Sequence, residues 1–186
     1  MICPLDFRYG RDITKSIFTE EERYRKMAKV EEALAYAYYK IKKIKREDYE
    51  NIKNACEKIK IQRIKEFEKE TKHDLMAMVK SITEHSGKSG RYVHLGATSN
   101  DIVDTAVALQ LKDFYEIAEN DLKELKNVLK DMALKYRDAI MLGRTHGQHA
   151  IPITFGLKMA VYLAEINRQH ERLKESKKRV LVGKMM

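Results

Sequence analysis

The sequence has few of the residues that interrupt helices or cross-link chains. It contains two prolines, two cysteines, eight glycines and no tryptophan among 186 residues. Nothing between Pro4 and Pro152 forces a helix to stop. Cys3 and Cys56 lack the spacing of a metal or redox motif and do not predict a disulfide framework. The sequence shows no signal peptide and no apolar run long enough to cross a bilayer, so we expect a cytoplasmic protein.

The residues that remain favour α-helix. Hydrophobic residues make up 44% of the chain, enough for a core, and Lys, Glu, Ala, Leu, Ile and Met are frequent. Thr19 and Glu22 have the spacing of a capping box that opens a helix. From Asp101 to Tyr136 apolar residues recur every third or fourth position, which predicts one helix ~54 Å long. A helix of this length that is too polar for a membrane indicates a helical bundle. We predict an all-α fold.

The helical pattern divides the chain into two predicted domains. Residues 1–110 are expected to form an N-terminal helical domain, and residues 111–186 part of a central helical-bundle domain. Two long helices joined by a loop do not close a four-helix bundle, so their apolar stripes need partners from other subunits or from further residues. We therefore expect the bundle to be truncated in this sequence, and residues 183–186 to be an internal cut and not a natural terminus.

The formal net charge of +9 leaves several partners open. Nucleic acid, an anionic membrane surface and an anionic small substrate are all compatible with it. The basic residues alternate with acids instead of forming a tail, as in residues 40–48, and this arrangement is typical of a solvated helix surface.

Three polar clusters are predicted at helix N-termini. Helix N-termini carry unpaired amides and a partial positive charge, so they suit carboxylate or phosphate groups. Together with histidines, they indicate a site for a polyanionic substrate and for proton transfer. The clusters are Lys72-His73-Asp74 with Thr71 as the cap, residues 94–101 with the capping-box pair Thr98 and Asp101, and Thr145-His146-Gly147-Gln148 ahead of a helix that starts at Pro152.

The histidines of the chain differ in what they indicate. His146 lies between small polar neighbours and off any apolar stripe, which favours a functional role. His73 is expected in a first helical turn, and His94 could belong either to the core or to a site. His85 and His170 are expected at the surface. No pair has the spacing of a metal site, and no Gly-rich phosphate loop is present.

These blocks resemble the fumarase/aspartase superfamily, in the form found in adenylosuccinate lyases. The matching segments are residues 72–77, residues 93–106 and residues 143–156, in the family's order and spacing. Phe7-Arg8-Tyr9 also resembles the start of the family pattern, although Gly10-Arg11-Asp12 departs from it. The resemblance covers nearly the whole chain and implies a homotetramer with active sites between subunits.

The resemblance also implies roles for individual residues. His146 is expected to be the general acid that protonates the departing nitrogen, and His73 to bind substrate and orient or shuttle the proton. No metal or redox cofactor is required. Arg8 and Tyr9 are expected to hold a phosphate, and the other substrate-binding residues are expected to be Lys72, Asp74, His94, Thr98, Ser99 and Gln148.

The implied reaction is a β-elimination that releases fumarate from adenylosuccinate and from its imidazole-carboxamide counterpart in purine synthesis. The family's general base is a serine within an SSxMPxKxNP motif, which this sequence does not contain. Three other functions remain open: another lyase of the superfamily, such as an argininosuccinate lyase or a carboxymuconate cycloisomerase; a basic helical module that binds nucleic acid; and an oligomerisation segment without activity.

Overall fold

The computed structural model describes residues 9–185. Over these residues it consists of seven α-helices, one 3₁₀ helix and a two-stranded sheet, which confirms the helical fold class. The helices are α1 (Asp12–Ile17), α2 (Glu20–Lys40), α3 (Arg46–Cys56), α4 (Ile61–Thr71), α5 (Asp74–Ser86), the 3₁₀ helix Gly87–Tyr92, α6 (Ser99–Lys135) and α7 (Phe155–Val180). The strands are β1 (Ile140–Thr145) and β2 (Gln148–Thr154).

Side-chain caps define the start of two long helices. The Oγ1 of Thr19 accepts a hydrogen bond of 3.2 Å from the N–H of Glu22 at the start of α2, as the capping-box spacing predicted. At the start of α6 the N–H of Thr98 donates to Oδ2 of Asp101 at 2.9 Å. Helix α6 contains 37 residues. It is therefore ~56 Å long at ~1.5 Å per residue, close to the predicted length.

The described residues fall into two compact units. The first contains the residues up to Asp113 together with those from Leu181 onward, and the second is Phe114–Val180. Helix α6 begins in the first unit and ends in the second. The core of the first unit lies among α2, α3, α4, α5 and the start of α6, where the largest fully buried apolar side chains are Met27, Ile52, Ile64, Leu75, Met78, Ile82 and Ile102.

The second unit contains the later part of α6, the two strands and α7. Its buried side chains include Tyr115, Leu129 and Met159. His170, which we expected at the surface, is also buried and only 6% exposed. It lies beside Glu119 and Lys126, with its Nδ1 3.4 Å from the lysine Nζ. The expectation failed because a helix in a bundle can bury a polar side chain that finds charged partners on the facing helix.

The segment around Pro152 is a β-hairpin, and the prediction of a helix starting at Pro152 was wrong. Strands β1 and β2 pair antiparallel with Leu142 opposite Pro152, and α7 begins three residues later, at Phe155. Proline fits the first turn of a helix, but it also fits an edge strand, because its missing N–H then leaves no ladder bond unmade. Both strands of a two-stranded sheet are edges.

A two-residue turn joins the strands. His146 and Gly147 have φ of +53° and +71°, and Thr145 pairs with Gln148 across the turn. Positive φ at both central residues is the type I′ arrangement, which matches the twist of the flanking strands and favours glycine at the second position. The backbone therefore presents His146 at the tip of a hairpin, not at a helix N-terminus.

Candidate active site

A sharp turn between α4 and α5 positions His73. Helix α4 ends at Thr71, Lys72 follows with φ of +54°, and His73 returns to extended backbone as the N-cap of α5. Its Nδ1 accepts a hydrogen bond of 3.4 Å from the N–H of Met76. The prediction that Thr71 caps this helix was wrong, because Thr71 is the last residue of α4 and the turn into α5 is formed by Lys72 and His73. The capping group is therefore the imidazole itself.

His73 and Ser99 lie together although they are far apart in sequence. The Nε2 of His73 is 3.5 Å from Oγ of Ser99, the first residue of α6. Because Nδ1 accepts from the Met76 amide, a neutral His73 carries its proton on Nε2 and directs it towards the serine. The structure thus brings the N-termini of α5 and α6, two of the three predicted clusters, into contact through one side-chain pair.

His94 is held by a buried carboxylate that sequence reasoning did not find. Its Nδ1 donates to Oε1 of Glu31 at 2.6 Å, and its backbone N–H donates to Oε2 at 3.1 Å. The Glu31 side chain is 1% exposed. The hydrogen bond that the His94 ring donates to Glu31 raises the pKa of His94, against the lowering effect of burial, and the charges of Glu31 and Asp101 add to the increase.

Two further ion pairs stabilise the surroundings of the helix ends. Oδ2 of Asp74, at the start of α5, lies 2.9 Å from the guanidinium of Arg23 on α2. Asp101 is fully buried in the first turn of α6, and its Oδ1 accepts from Nζ of Lys184 at 2.7 Å. Because Asp101 also accepts from the Thr98 N–H, it fixes the backbone that leads to Ser99.

The apolar stripe of α2 contained a signal for the missed glutamate. Met27, Val30, Leu34 and Tyr38 define that stripe in the sequence, and Glu31 falls on it at position i+4 from Met27. A carboxylate on a core-facing stripe requires a partner, because an unpaired buried charge is costly. The sequence could therefore indicate that Glu31 is paired, but not that the partner is His94, which is 63 residues away.

His146 and Gln148 lie in the second unit, at the hairpin tip and at the first residue of β2. Both side chains are exposed. The Oγ1 of Thr145 is 2.9 Å from Nδ1 of His146, a contact that orients the ring relative to the turn. Of the proposed phosphate pair, Tyr9 is 62% exposed, and Arg8 lies outside the described residues.

Left-handed backbone is concentrated among the predicted site residues. Within residues 9–185, four non-glycine residues have positive φ, and three of them are Lys72, His94 and His146. This conformation is uncommon for residues with a Cβ, and strained backbone clusters at active sites, where the surrounding structure holds it in place. The fourth residue, Lys42, was not predicted at the site.

The geometry of the first unit suits an anionic ligand and proton transfer. It combines two helix N-termini, a histidine whose Nε2 faces the Ser99 hydroxyl and a second histidine whose pKa is raised. Among the described residues no group of three His, Cys, Asp or Glu side chains could hold a metal ion. In the same part of the chain no helix is both long and apolar enough to span a bilayer.

Comparison with known proteins places these features in a family. The chain is 49% identical over 186 residues to adenylosuccinate lyase of Pyrococcus abyssi, covering 99% of this chain. It is 49% identical to adenylosuccinate lyase of Pyrococcus horikoshii over the same share of its length. In both cases the chain spans only 41% of the relative.

The chain is also similar to solved structures and to a family model. The 3-carboxy-cis,cis-muconate lactonizing enzyme of Pseudomonas putida matches with a TM-score of 0.89 and 32% identity, over 98% of this chain and 43% of that one. A family model described as Lyase matches residues 7–186. Since that match takes in nearly every residue, the chain belongs to this lyase family.

Proposed function

We propose that this chain is the portion of an adenylosuccinate lyase that carries His73, His94 and His146. The enzyme would release fumarate by β-elimination from adenylosuccinate and from the succinylaminoimidazole-carboxamide ribotide in purine nucleotide biosynthesis. The observation that carries the proposal is 49% identity to adenylosuccinate lyases over nearly the whole of this chain. The contact between the N-termini of α5 and α6 supports it, because two carboxylates and a phosphate need such positive ends.

The proposed roles follow the chemistry of C–N cleavage. Removing a proton next to a carboxylate leaves a carbanion whose charge spreads into that carboxylate, so amide and hydroxyl donors stabilise it. The departing nitrogen then needs a proton from a general acid, a role that suits a histidine side chain, and we assign it to His146. His73 would bind substrate and orient or shuttle the proton. Substrate would also contact Lys72, Asp74, His94, Thr98, Ser99 and Gln148, with its phosphate at Arg8 and Tyr9.

The general base is expected outside this sequence, since the family's serine motif is absent from it. The 186-residue chain alone should therefore release no fumarate. Activity at a thousandth of an ordinary lyase rate in the purified chain would require a base among the residues present. His73 would be the first candidate for it.

A second candidate is favoured by the structural comparison. The muconate lactonizing enzyme of Pseudomonas putida matches the fold with a TM-score of 0.89. A cycloisomerase of that type, or an argininosuccinate lyase, would use the same scaffold on a different substrate. The chain is 32% identical to the muconate lactonizing enzyme and 49% identical to adenylosuccinate lyases, so we favour the adenylosuccinate lyase function.

A substrate panel separates these candidates. Protein made from the complete coding sequence is incubated with adenylosuccinate, its imidazole-carboxamide counterpart, argininosuccinate and carboxymuconate, and product is followed by absorbance. We expect kcat/KM to be highest for the two purine-pathway substrates. Preference for argininosuccinate or carboxymuconate, or no turnover of any of the four, would overturn the proposal.

We also propose that the complete protein is a cytoplasmic homotetramer. The second unit leaves large apolar side chains exposed on both helices, consistent with surfaces that other subunits cover. They include Leu125, Val128 and Leu134 on α6 and Leu157, Val161 and Tyr162 on α7. Sedimentation should show association of the complete protein, and the 186-residue chain should associate or bind a hydrophobic dye. A clean monomer of either without dye binding would contradict the proposal.

A further inference from the structure

Glu31 on α2 holds the segment between the 3₁₀ helix and α6 through hydrogen bonds to His94. Both of its carboxylate oxygens are used, one by the ring and one by the backbone N–H of His94. The side chain is 1% exposed, whereas the His94 side chain retains 14% exposure. The carboxylate therefore lies behind the imidazole, and only the imidazole reaches the surface.

Helix α2 holds the same segment at a second point. The hydroxyl of Tyr38 donates to the backbone oxygen of Leu95 at 3.0 Å. Glu31 and Tyr38 are seven residues apart, so they lie on the same side of the helix. Together they hold His94 in its left-handed backbone conformation, with φ of +59°. The position and orientation of the His94 ring are thus determined by α2.

The hydrogen bond to Glu31 also determines which ring nitrogen is available. Nδ1 donates to Oε1 of Glu31, and no side chain among residues 9–185 forms a hydrogen bond with Nε2. The carboxylate favours the imidazolium, as the raised pKa of His94 reflects. In that form Nε2–H is a charged donor, which forms stronger hydrogen bonds with anionic oxygens than a neutral ring does.

We propose that Glu31 is a positioning residue that holds His94 as a cationic donor, with Nε2–H directed at an anionic oxygen of the substrate. The proposal rests on the lyase function proposed above and adds a residue to it. The anionic oxygen belongs to either a carboxylate or a phosphate, and the two products of the proposed reaction distinguish these sources. Fumarate carries only carboxylates, and AMP carries only a phosphate.

The first test measures His94 directly in the 186-residue chain. Its ring resonances are assigned by comparison with His94→Gln, and its pKa is followed by NMR in Glu31→Gln and Glu32→Gln. Glu32 is the matched control, since it is the next residue on α2 and its carboxylate faces Tyr49 instead. We expect the pKa of His94 to fall in Glu31→Gln and to stay unchanged in Glu32→Gln.

A folded Glu31→Gln variant in which the pKa of His94 does not fall would overturn the proposal, as would an equal shift in both variants. If Glu31→Gln does not fold, Glu31→Asp replaces it. Aspartate keeps the negative charge, but its side chain is one methylene shorter, so the carboxylate lies farther from the ring. The pKa of His94 should therefore fall, but by less than in the absence of the charge. An unchanged pKa in Glu31→Asp would then be the contradicting result.

The second test uses the complete enzyme and product inhibition. Glu31→Gln should weaken inhibition by either fumarate or AMP about three- to tenfold, because His94 keeps its Nε2–H but donates it from a neutral ring, which forms a hydrogen bond roughly half as strong. Glu32→Gln should leave both inhibition constants unchanged. Equal inhibition of wild type and Glu31→Gln by both products would overturn the proposal. Because the NMR test needs no turnover, failure of the lyase assignment would not be confused with failure of the Glu31–His94 pair.

Discussion

The Nε2 of His73 lies 3.5 Å from the Oγ of Ser99, so one side-chain pair connects the N-cap of α5 to the first residue of α6, 26 positions later in the sequence. Both N-termini carry a partial positive charge, and the carboxylates in their first turns, Asp74 and Asp101, are already paired with Arg23 and Lys184. The proximity of the two N-termini therefore favours a bound anionic group more strongly than either helix end alone.

Ser99→Ala should weaken substrate binding in the complete enzyme. The serine hydroxyl is expected to contact a substrate carboxylate in ground and transition states alike, so KM should rise more than kcat falls. A hydrogen bond to a charged group contributes about 1.5–3 kcal/mol. Steady-state kinetics would measure the change, with Ser16→Ala on α1 as a control at an exposed position. A Ser99→Ala enzyme with unchanged KM would remove Ser99 from the binding site.

The Glu31–His94 pair should make stability depend on pH. The folded-state pKa of His94 is raised above its ordinary value of about 6.5. The contribution of the pair is therefore fully present below about pH 6.5 and is lost as pH rises through the raised pKa. Thermal melts of wild type and Glu31→Gln should differ most between about pH 5 and 6.5 and converge at higher pH. A difference that grows with pH would contradict this sign, and Glu32→Gln should show no such trend.

The helical elements could be predicted because their signals are local. Thr19 and Glu22 are three residues apart, as are Thr98 and Asp101, and each pair makes a hydrogen bond at a helix start. The site was harder to predict because its contacts are not local. His94 and Glu31 are separated by 63 residues, and nothing in the spacing of either residue identifies the other.

The hairpin shows how one strong local signal can hide another. Pro152 was interpreted as the first residue of a helix, although the two-residue segment His146-Gly147 lies between stretches rich in Ile, Leu and Thr. That pattern is also typical of a type I′ hairpin. Proline satisfies both alternatives, and the choice between them depends on whether the facing segment supplies a strand. β1 supplies that strand.

Gly156→Ala should destabilise the second unit. A Cβ at Gly156 would lie 2.6 Å from the backbone oxygen of Ala133 and from Cα of Arg137, and backbone atoms cannot move aside as a flexible side chain can. The N–H of Gly156 also donates to the oxygen of Tyr136 at 2.9 Å, which ties α7 to the end of α6. Overpacking of this kind costs about 1–3 kcal/mol.

Thermal denaturation of the 186-residue chain measures this effect. A loss of 1 kcal/mol lowers Tm by about 2–4 °C in a chain of this size. Glu165→Ala is the matched control, because this side chain is exposed on the same helix and its truncation should change stability little. Equal melting of Gly156→Ala and wild type would show that the two helix ends have room to separate.

Cys56 should resist alkylation in the folded chain. It is 8% exposed, and burial together with neighbouring glutamates raises its pKa to about 12. The thiolate is the reactive form, so very little of it is present at pH 8. In a Cys3→Ser variant Cys56 is the sole thiol, and iodoacetamide labelling can be followed by mass spectrometry with and without denaturant. Similar labelling rates in the two conditions would show that the buried environment opens readily.

His146→Gln in the complete enzyme tests the proposed proton donor. The exposed ring at the hairpin tip contributes little to packing, so the variant should fold and retain most of its substrate affinity. General acid catalysis contributes about 10²–10⁴-fold, and kcat should fall by at least that factor while KM changes far less. Arg8→Ala should show the opposite pattern, weaker binding of the phosphorylated substrate by about 1.5–3 kcal/mol from a lost charge-assisted contact. Loss of a general acid lowers kcat by at least about 10²-fold. If the His146→Gln enzyme kept more than about a tenth of its turnover, His146 would be only a turn residue. Its left-handed conformation would then serve the hairpin alone.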